Sequence, residues 1–290
     1  MRYYTKYPHF ASLVFILISS CVVMKGQTSD QEVEKDSTSS KYSLFGGAGY
    51  GSNLVYMGST ISGNLPYYSS SITLGYSGNL FLSASASHIP GENPFIAFYS
   101  ISSSYRYVVN SWLDFSADLS FFDTPKSLES TLFNDFIYIN ASTGFDWKLL
   151  YTKVSFSGLL SKENSGYIQM RNSRYFQTAP FLKEKAFLSF DPGINLLFGR
   201  LVKIETSGST TKYGNAPPFV QLKKKQNGIT YKYSYVFSMM DTEFSLPVTL
   251  NFDNFSFEAE AVYILPSYTN SDYPAPKGFN INLTAIIRIF

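Results

Sequence analysis

From Tyr42 onward, apolar and polar residues alternate with a period of two almost everywhere, the pattern of strands with two unlike faces. In LDFSADLSFF (113–122), Leu113, Phe115, Ala117, Leu119 and Phe121 share one parity, and Asp114, Ser116, Asp118 and Ser120 share the other. The pattern predicts thirteen strands, at 42–51, 72–76, 80–86, 95–109, 112–122, 136–147, 150–160, 187–199, 201–207, 229–240, 242–252, 255–265 and 278–290. Short turns at 77–79, 110–111, 146–148, 199–200 and 253–254 alternate with long loops at 52–68, 88–94, 123–132, 161–184, 208–228 and 266–277. Alternating long and short connections predict an all-β, up-and-down antiparallel barrel, with loops at one rim and turns at the other.

A barrel with both termini on one side needs an even number of strands. The apolar phase flips between Met239 and Phe244, so 229–240 reads as an extension of the next strand, joined through a bulge. That reduces the count to 12, with 14 as the alternative. A straight strand over 229–252 would run about 80 Å at ~3.3 Å per residue, too long without a break.

Alternation alone does not say which face meets water. Phe244, Leu246, Val248, Leu250 and Phe252 point one way, and Phe255, Phe257, Ala259, Ala261, Tyr263 and Leu265 answer from the next strand. The opposite parity holds Glu243, Ser245, Thr249, Asn251, Ser256, Glu258 and Glu260. Two glutamates on one strand are unfavourable in a dry soluble core and ordinary in a wet barrel lumen. The apolar parity is therefore expected against lipid; a secreted soluble all-β protein is the rival.

Composition supports this reading. Only 15% of residues are charged, while Tyr (23) and Phe (26) supply nearly all of an 18% aromatic content. The N-terminus has a basic start, an apolar run of about 14 residues and a polar exit, as in a secretory signal cleaved near Gly26, and is too short to span a bilayer. The expected organisation is a signal over 1–26, a flexible polar leader over 27–41 and a barrel over 42–290. In a second reading, Ile18, Ser19, Ser20 and Cys21 resemble a bacterial lipobox, and Cys21 would carry lipid. Neither reading leaves cysteines for a disulfide or a metal site. Cleavage removes Arg2, Lys6 and Lys25 and takes the formal charge from +2 to −1, which gives no reason to expect nucleic acid. In the leader, Asp36, Ser37 and Thr38 resemble the short O-glycosylation signal of Bacteroidota.

The closing run FSLPVTLNFDNFSFEAEAVYILP (244–266), with GFNINLTAIIRIF (278–290), resembles the last three strands of small porin-like outer-membrane barrels of Bacteroidota. The resemblance implies a Gram-negative outer membrane, with lipid, lipopolysaccharide and the barrel-assembly machinery as partners. Phe290 resembles the aromatic terminus that the machinery reads. One departure is that Phe279, Ile281, Leu283, Ala285, Ile287 and Ile289 share the outward parity, leaving Phe290 on the other with Arg288. The resemblance implies location, not cargo.

Projected along the strands, Arg106, Asp114, Asp118, Lys153, Asp191, Lys203, Glu205, Glu243, Glu258 and Glu260 face the lumen. With acids in excess, they would line a weakly cation-preferring path for small polar solutes, or pair and partly fill it. The alternative is a non-conducting surface barrel that binds a partner or ligand through the loops 161–184 and 208–228. Two basic loop clusters, Lys183 with Lys185 and Lys223 with Lys224 and Lys225, would face outward toward lipopolysaccharide phosphates or an anionic ligand, or remain solvated. A third reading is a lipid-acting enzyme. His88, outward near the loop rim, sits where outer-membrane phospholipases carry a catalytic base, but the Ser those enzymes have two residues later is Pro90 here. No cofactor motif is present, and metal chemistry has neither a histidine pair nor a cysteine, which leaves a carboxylate calcium site in the loops.

Overall fold

The structure is a computed structural model and describes residues 41–129, 133–161, 164–206, 212–215, 225–226, 229–268 and 276–290. Twelve strands form a closed antiparallel barrel, with no helix among the described residues. They are β1 Tyr42–Gly51, β2 Tyr67–Tyr76, β3 Leu80–His88, β4 Phe98–Asn110, β5 Leu113–Asp123 and β6 Phe136–Asp146. The second half is β7 Tyr151–Leu160, β8 Ser165–Ser173, β9 Gly193–Thr206, β10 Ile229–Phe252, β11 Phe255–Pro266 and β12 Gly278–Arg288. Each pairs with the next, and β12 closes on β1 from Phe45 opposite Arg288 to Gly51 opposite Asn282. The seam continues past β12, because the Leu44 N–H donates to the Phe290 carbonyl at 3.0 Å.

The expected strand number holds, but two of its parts change. Residues 165–173 form β8 instead of lying within a long loop. Only Ile168 and Met170 are large apolar residues on its outward parity, which Gly166 and Asn172 dilute, so the alternation is weak. Conversely, 187–199 and 201–207 are one run broken elsewhere, and Gly199–Arg200 is no turn. The break falls at Asp191 and Pro192, where proline has no N–H for the ladder. Below it, Ala186–Phe190 prolongs β9 along Val248–Phe252 of β10.

The bulge lies where the phase flip places it. Leu197 pairs with Asp241 and Phe198 with Met239, so Met240 is the extra residue on β10. Asp241 opposite Pro266 is the last pair between β10 and β11 at this end. Beyond it, β9 and β10 continue together to Thr206 opposite Tyr231, with Lys212–Asn215 along the other edge of β9. They form an arm that stands above the wall.

The surface is inverted relative to a soluble protein. Ile72, Leu74, Leu82, Ile101, Phe115, Leu119, Ile139, Phe156, Leu246 and Ile281 are exposed, while Asp114, Asp118, Glu243, Glu258 and Glu260 are buried. Aromatic pairs rim the apolar band: Tyr42 with Tyr76 and Trp112 with Phe145 at the turn end, Tyr50 with Tyr68 and Tyr263 with Phe279 at the loop end. From Tyr68 to Tyr76, β2 covers ~27 Å of strand, which at a tilt of about 40° stands roughly 20 Å high, close to the ~25 Å apolar band of membrane barrels. Such a surface suits hydrocarbon outside and polar groups within.

Inward side chains lock neighbouring strands together. Hydroxyl pairs join Thr73 to Ser83 at 2.9 Å, Ser85 to Ser100 at 2.6 Å and Ser116 to Ser142 at 2.6 Å. Tyr151 lies across Gly144 and donates to Asp114 Oδ2 at 3.0 Å; a Cβ at Gly144 would fall 2.0 Å from the phenol oxygen. Gly144→Val is therefore expected to displace Tyr151 and destabilise the barrel by on the order of 1–3 kcal/mol, seen as a lower midpoint for loss of the folded band on gels run without boiling.

Candidate functional site

The lumen has two layers. Toward the turn end, it is polar and packed with side chains. Lys153 has no accessible surface and donates from Nζ to Ser116 Oγ at 3.1 Å. Arg106 pairs with Asp114 at 3.5 Å, and Asn140 donates to Asp118 at 3.0 Å. Arg171 donates from Nη2 to Asp191, to Oδ2 at 2.5 Å and to the carbonyl at 3.2 Å. The bases thus gather on β4, β7 and β8, each near aspartates. On the opposite wall three glutamates accept hydrogen bonds from neutral side chains: Asn195 donates to Glu243 at 2.7 Å, Thr249 to Glu258 at 3.0 Å and Asn282 to Glu260 at 3.2 Å.

Toward the loop end, the lumen is filled by an apolar plug that the sequence reading did not foresee. The β1–β2 connection folds inward as a small hairpin, Val55–Tyr56 against Ser59–Thr60. Its turn residues Met57 and Gly58 have φ of 45° and 75°, both left-handed, as a two-residue hairpin turn that follows the strand twist requires. Leu54, Tyr56, Met57 and Ile61 are 0–2% exposed. Local bonds shape the hairpin: Ile61 N–H to the Leu54 carbonyl at 2.8 Å, Leu54 N–H to Ser62 Oγ at 2.9 Å and Thr60 Oγ1 to Asn53 Oδ1 at 2.7 Å.

Other loop-end segments complete the plug. Tyr56 meets Phe122, Phe136 and Tyr138 with ring centroids 5.6–6.1 Å apart. Leu128 and Phe133 of the β5–β6 connection, Ile89 and Tyr268 join the same cluster. The hairpin tip reaches the far wall: a Cβ on Gly58 would sit 3.1 Å from Asp241 Oδ2 and from Met240 Cε, and 3.5 Å from Leu197 Cδ2. Tyr268 Oη donates to the Gly58 carbonyl at 3.4 Å. Burial, then the nearby Asp241 carboxylate, push the Tyr268 phenol above its ordinary value, so it stays a donor.

Of the residues projected into the lumen, Arg106, Asp114, Asp118, Lys153, Asp191, Glu243, Glu258 and Glu260 line the barrel interior. Lys203 and Glu205 do not. They have the inward parity but stand on the arm, half-exposed and ion-paired to each other at 2.5 Å. Among the described residues, two interior charges were missed: Arg171, hidden on the weakly patterned β8, and Asp241, beside the bulge where parity fails. Lys183 and Lys185 belong to the β8–β9 connection, at the turn end with the start of β1 and the end of β12, and so lie opposite to the expected side. Lys223 and Lys224 lie outside the described residues, as do Cys21 and residues 27–40 of the leader, and nothing of the Lys225 side chain is described. His88 is at the loop rim, stacked on Phe95 with centroids 4.2 Å apart and bonded through Nδ1 to the Phe95 carbonyl at 2.6 Å.

No family model matches the chain, and no curated protein matches it. Among solved structures it is similar to the KdgM porin, at 9% identity over 84% of this chain and 98% of that one, with a TM-score of 0.46. An outer-membrane channel from Pseudomonas putida F1 matches at 9% identity over 89% and 100%, with a TM-score of 0.44. LpxR from Salmonella typhimurium matches at 6% identity over 84% and 99%, with a TM-score of 0.47.

Proposed function

We propose that this chain is an outer-membrane barrel that acts as a gated channel for small polar solutes, held closed at rest by its own β1–β2 hairpin. The observation that carries the reading is the buried hairpin itself. It is tethered to the rim at both ends, seated mainly by apolar packing, and placed over a lumen lined with charge. A plug held by dispersion and area has no buried ion pair to break when it leaves, so its motion is compatible with an intact wall.

Acids outnumber bases inside, and Arg106 and Arg171 already pair with aspartates. The acidic wall of Glu243, Glu258 and Glu260 then sets the net field, and openings should favour cations. In planar bilayers the purified barrel is expected to stay closed most of the time, with rare steps that carry K⁺ over Cl⁻. Glu258→Gln with Glu260→Gln should reduce that preference severalfold, read from the reversal potential in a salt gradient. A folded barrel that never conducts, even without its hairpin, would replace this reading with a non-conducting surface barrel whose outer arm meets a partner. The lipid-acting reading depends on His88, and hydrolysis of outer-membrane lipid that vanishes in His88→Ala would favour it.

A further inference from the structure

We infer that the bulge of β10 is both the catch of the plug and the hinge of the outer arm, so that displacing the arm unseats the hairpin. The inference rests on the gated-channel reading for its purpose, but not for its geometry.

In a regular strand, successive side chains point to opposite faces. Met240 and Asp241 are successive, yet both are buried, at 0% and 1% exposure, and both meet the hairpin tip at Gly58. Only the extra residue of the bulge lets one strand offer two neighbours to one object. Beneath them, Met240 Sδ and the Tyr167 ring lie over Gly199, each 2.5 Å from where a Cβ would be, so the recess that takes the tip has a glycine floor.

The bulge also frees backbone carbonyls, and Ser267 caps them. Its N–H donates to the Met240 carbonyl at 2.8 Å, and its hydroxyl bonds the Met239 and Met240 carbonyls. That cap positions the adjacent Tyr268, which holds the Gly58 carbonyl. Catch, cap and strap thus meet at one irregularity.

The same residue pair ends the wall. Asp241 opposite Pro266 is the last rung between β10 and β11, and above it the arm continues on β9 and β10. Any tilt of the arm relative to the barrel therefore turns about Met240 and Asp241. A brace holds the arm's base: the Arg200 guanidinium stacks 3.4 Å over the Tyr235 ring and donates to the Asn164 carbonyl at 2.9 Å, tying the arm to the β7–β8 loop. Arg200 lies on the outer parity of β9, opposite Phe237, away from the lumen.

The test is disulfide trapping in the folded full chain, whose single native cysteine is Cys21. A Gly58→Cys, Asp241→Cys pair is expected to crosslink readily on mild oxidation, read by gel mobility. Adding Arg200→Ala or, separately, Tyr235→Ala should lower the crosslinked fraction severalfold while the barrel keeps its folded gel shift. No crosslink in the folded pair overturns the catch. An unchanged crosslinked fraction in both brace variants overturns the coupling. Trapping does not require conduction: if the brace variants lower crosslinking and no protein ever conducts, the channel reading falls and the coupled latch stands.

Discussion

Removal of residues 54–61, with the cut joined by a short Gly–Ser bridge, is expected to turn a mostly closed barrel into one that conducts continuously in planar bilayers. Burying Leu54, Tyr56, Met57 and Ile61 contributes roughly 6–12 kcal/mol at about 1.5–3 kcal/mol per large side chain. Ordering the eight-residue hairpin backbone opposes that with a cost of the same size, at about 1–2 kcal/mol per residue. The net seating is therefore small compared with either part, and a single anchor should matter. Tyr56 touches three aromatic rings, so Tyr56→Ala costs about 3 kcal/mol of packing. If the loss falls on the seated state, the open-to-closed ratio rises roughly a hundredfold, since about 1.4 kcal/mol is a factor of ten. Open probability that is unchanged in Tyr56→Ala and in the excised form would remove the hairpin from any gating role.

Arg171→Met should destabilise the barrel by about 2 kcal/mol, and the added change Asp191→Asn should restore most of the loss. Breaking a buried ion pair by removing one partner costs about 3–5 kcal/mol when the survivor stays dry. Two features lower the figure here. The Asp191 side chain keeps 28% of its accessible surface and can recover some hydration. Lys153 lies opposite Arg171 in the β7–β8 register, so the substitution also relieves a like-charge contact. Urea unfolding in lipid vesicles checks both variants. A double variant no more stable than Arg171→Met would show that the pair is not what holds the Asp191–Pro192 break.

The strand parities were legible because the side-chain period in a strand is two whatever its partners, and most aromatic and apolar residues of β2, β5, β11 and β12 keep it, the inward exceptions being Tyr67, Phe122, Val262, Ile264 and Ile286. The bulge was legible for the same reason, as a phase flip that a continuous strand can absorb only by inserting one residue. β8 was not. Its outward face carries glycine and asparagine among two apolar residues, and a short lipid-facing run of that kind is indistinguishable from a polar loop. Gly199 misled in the opposite direction. It reads as a turn, but its role is to let Tyr167 and Met240 lie against the backbone.

The candidate site divides along the same line. That Asp114, Asp118, Glu258 and Glu260 face inward follows from sequence, because parity needs only the chain itself. That the space they face is closed does not. Leu54, Tyr56, Met57 and Ile61 stand as an apolar patch in a connection between strands, and nothing local says whether such a loop projects outward or turns in. Their burial depends on the far wall: the bulge at Met240, the recess over Gly199 and the reach of Tyr268, which lies 210 residues away from Gly58 along the chain. Alternation, charge placement and strand direction are properties of neighbours in sequence and were determined by it alone. Closure of the lumen is a contact between distant segments, and only the tertiary structure decided it.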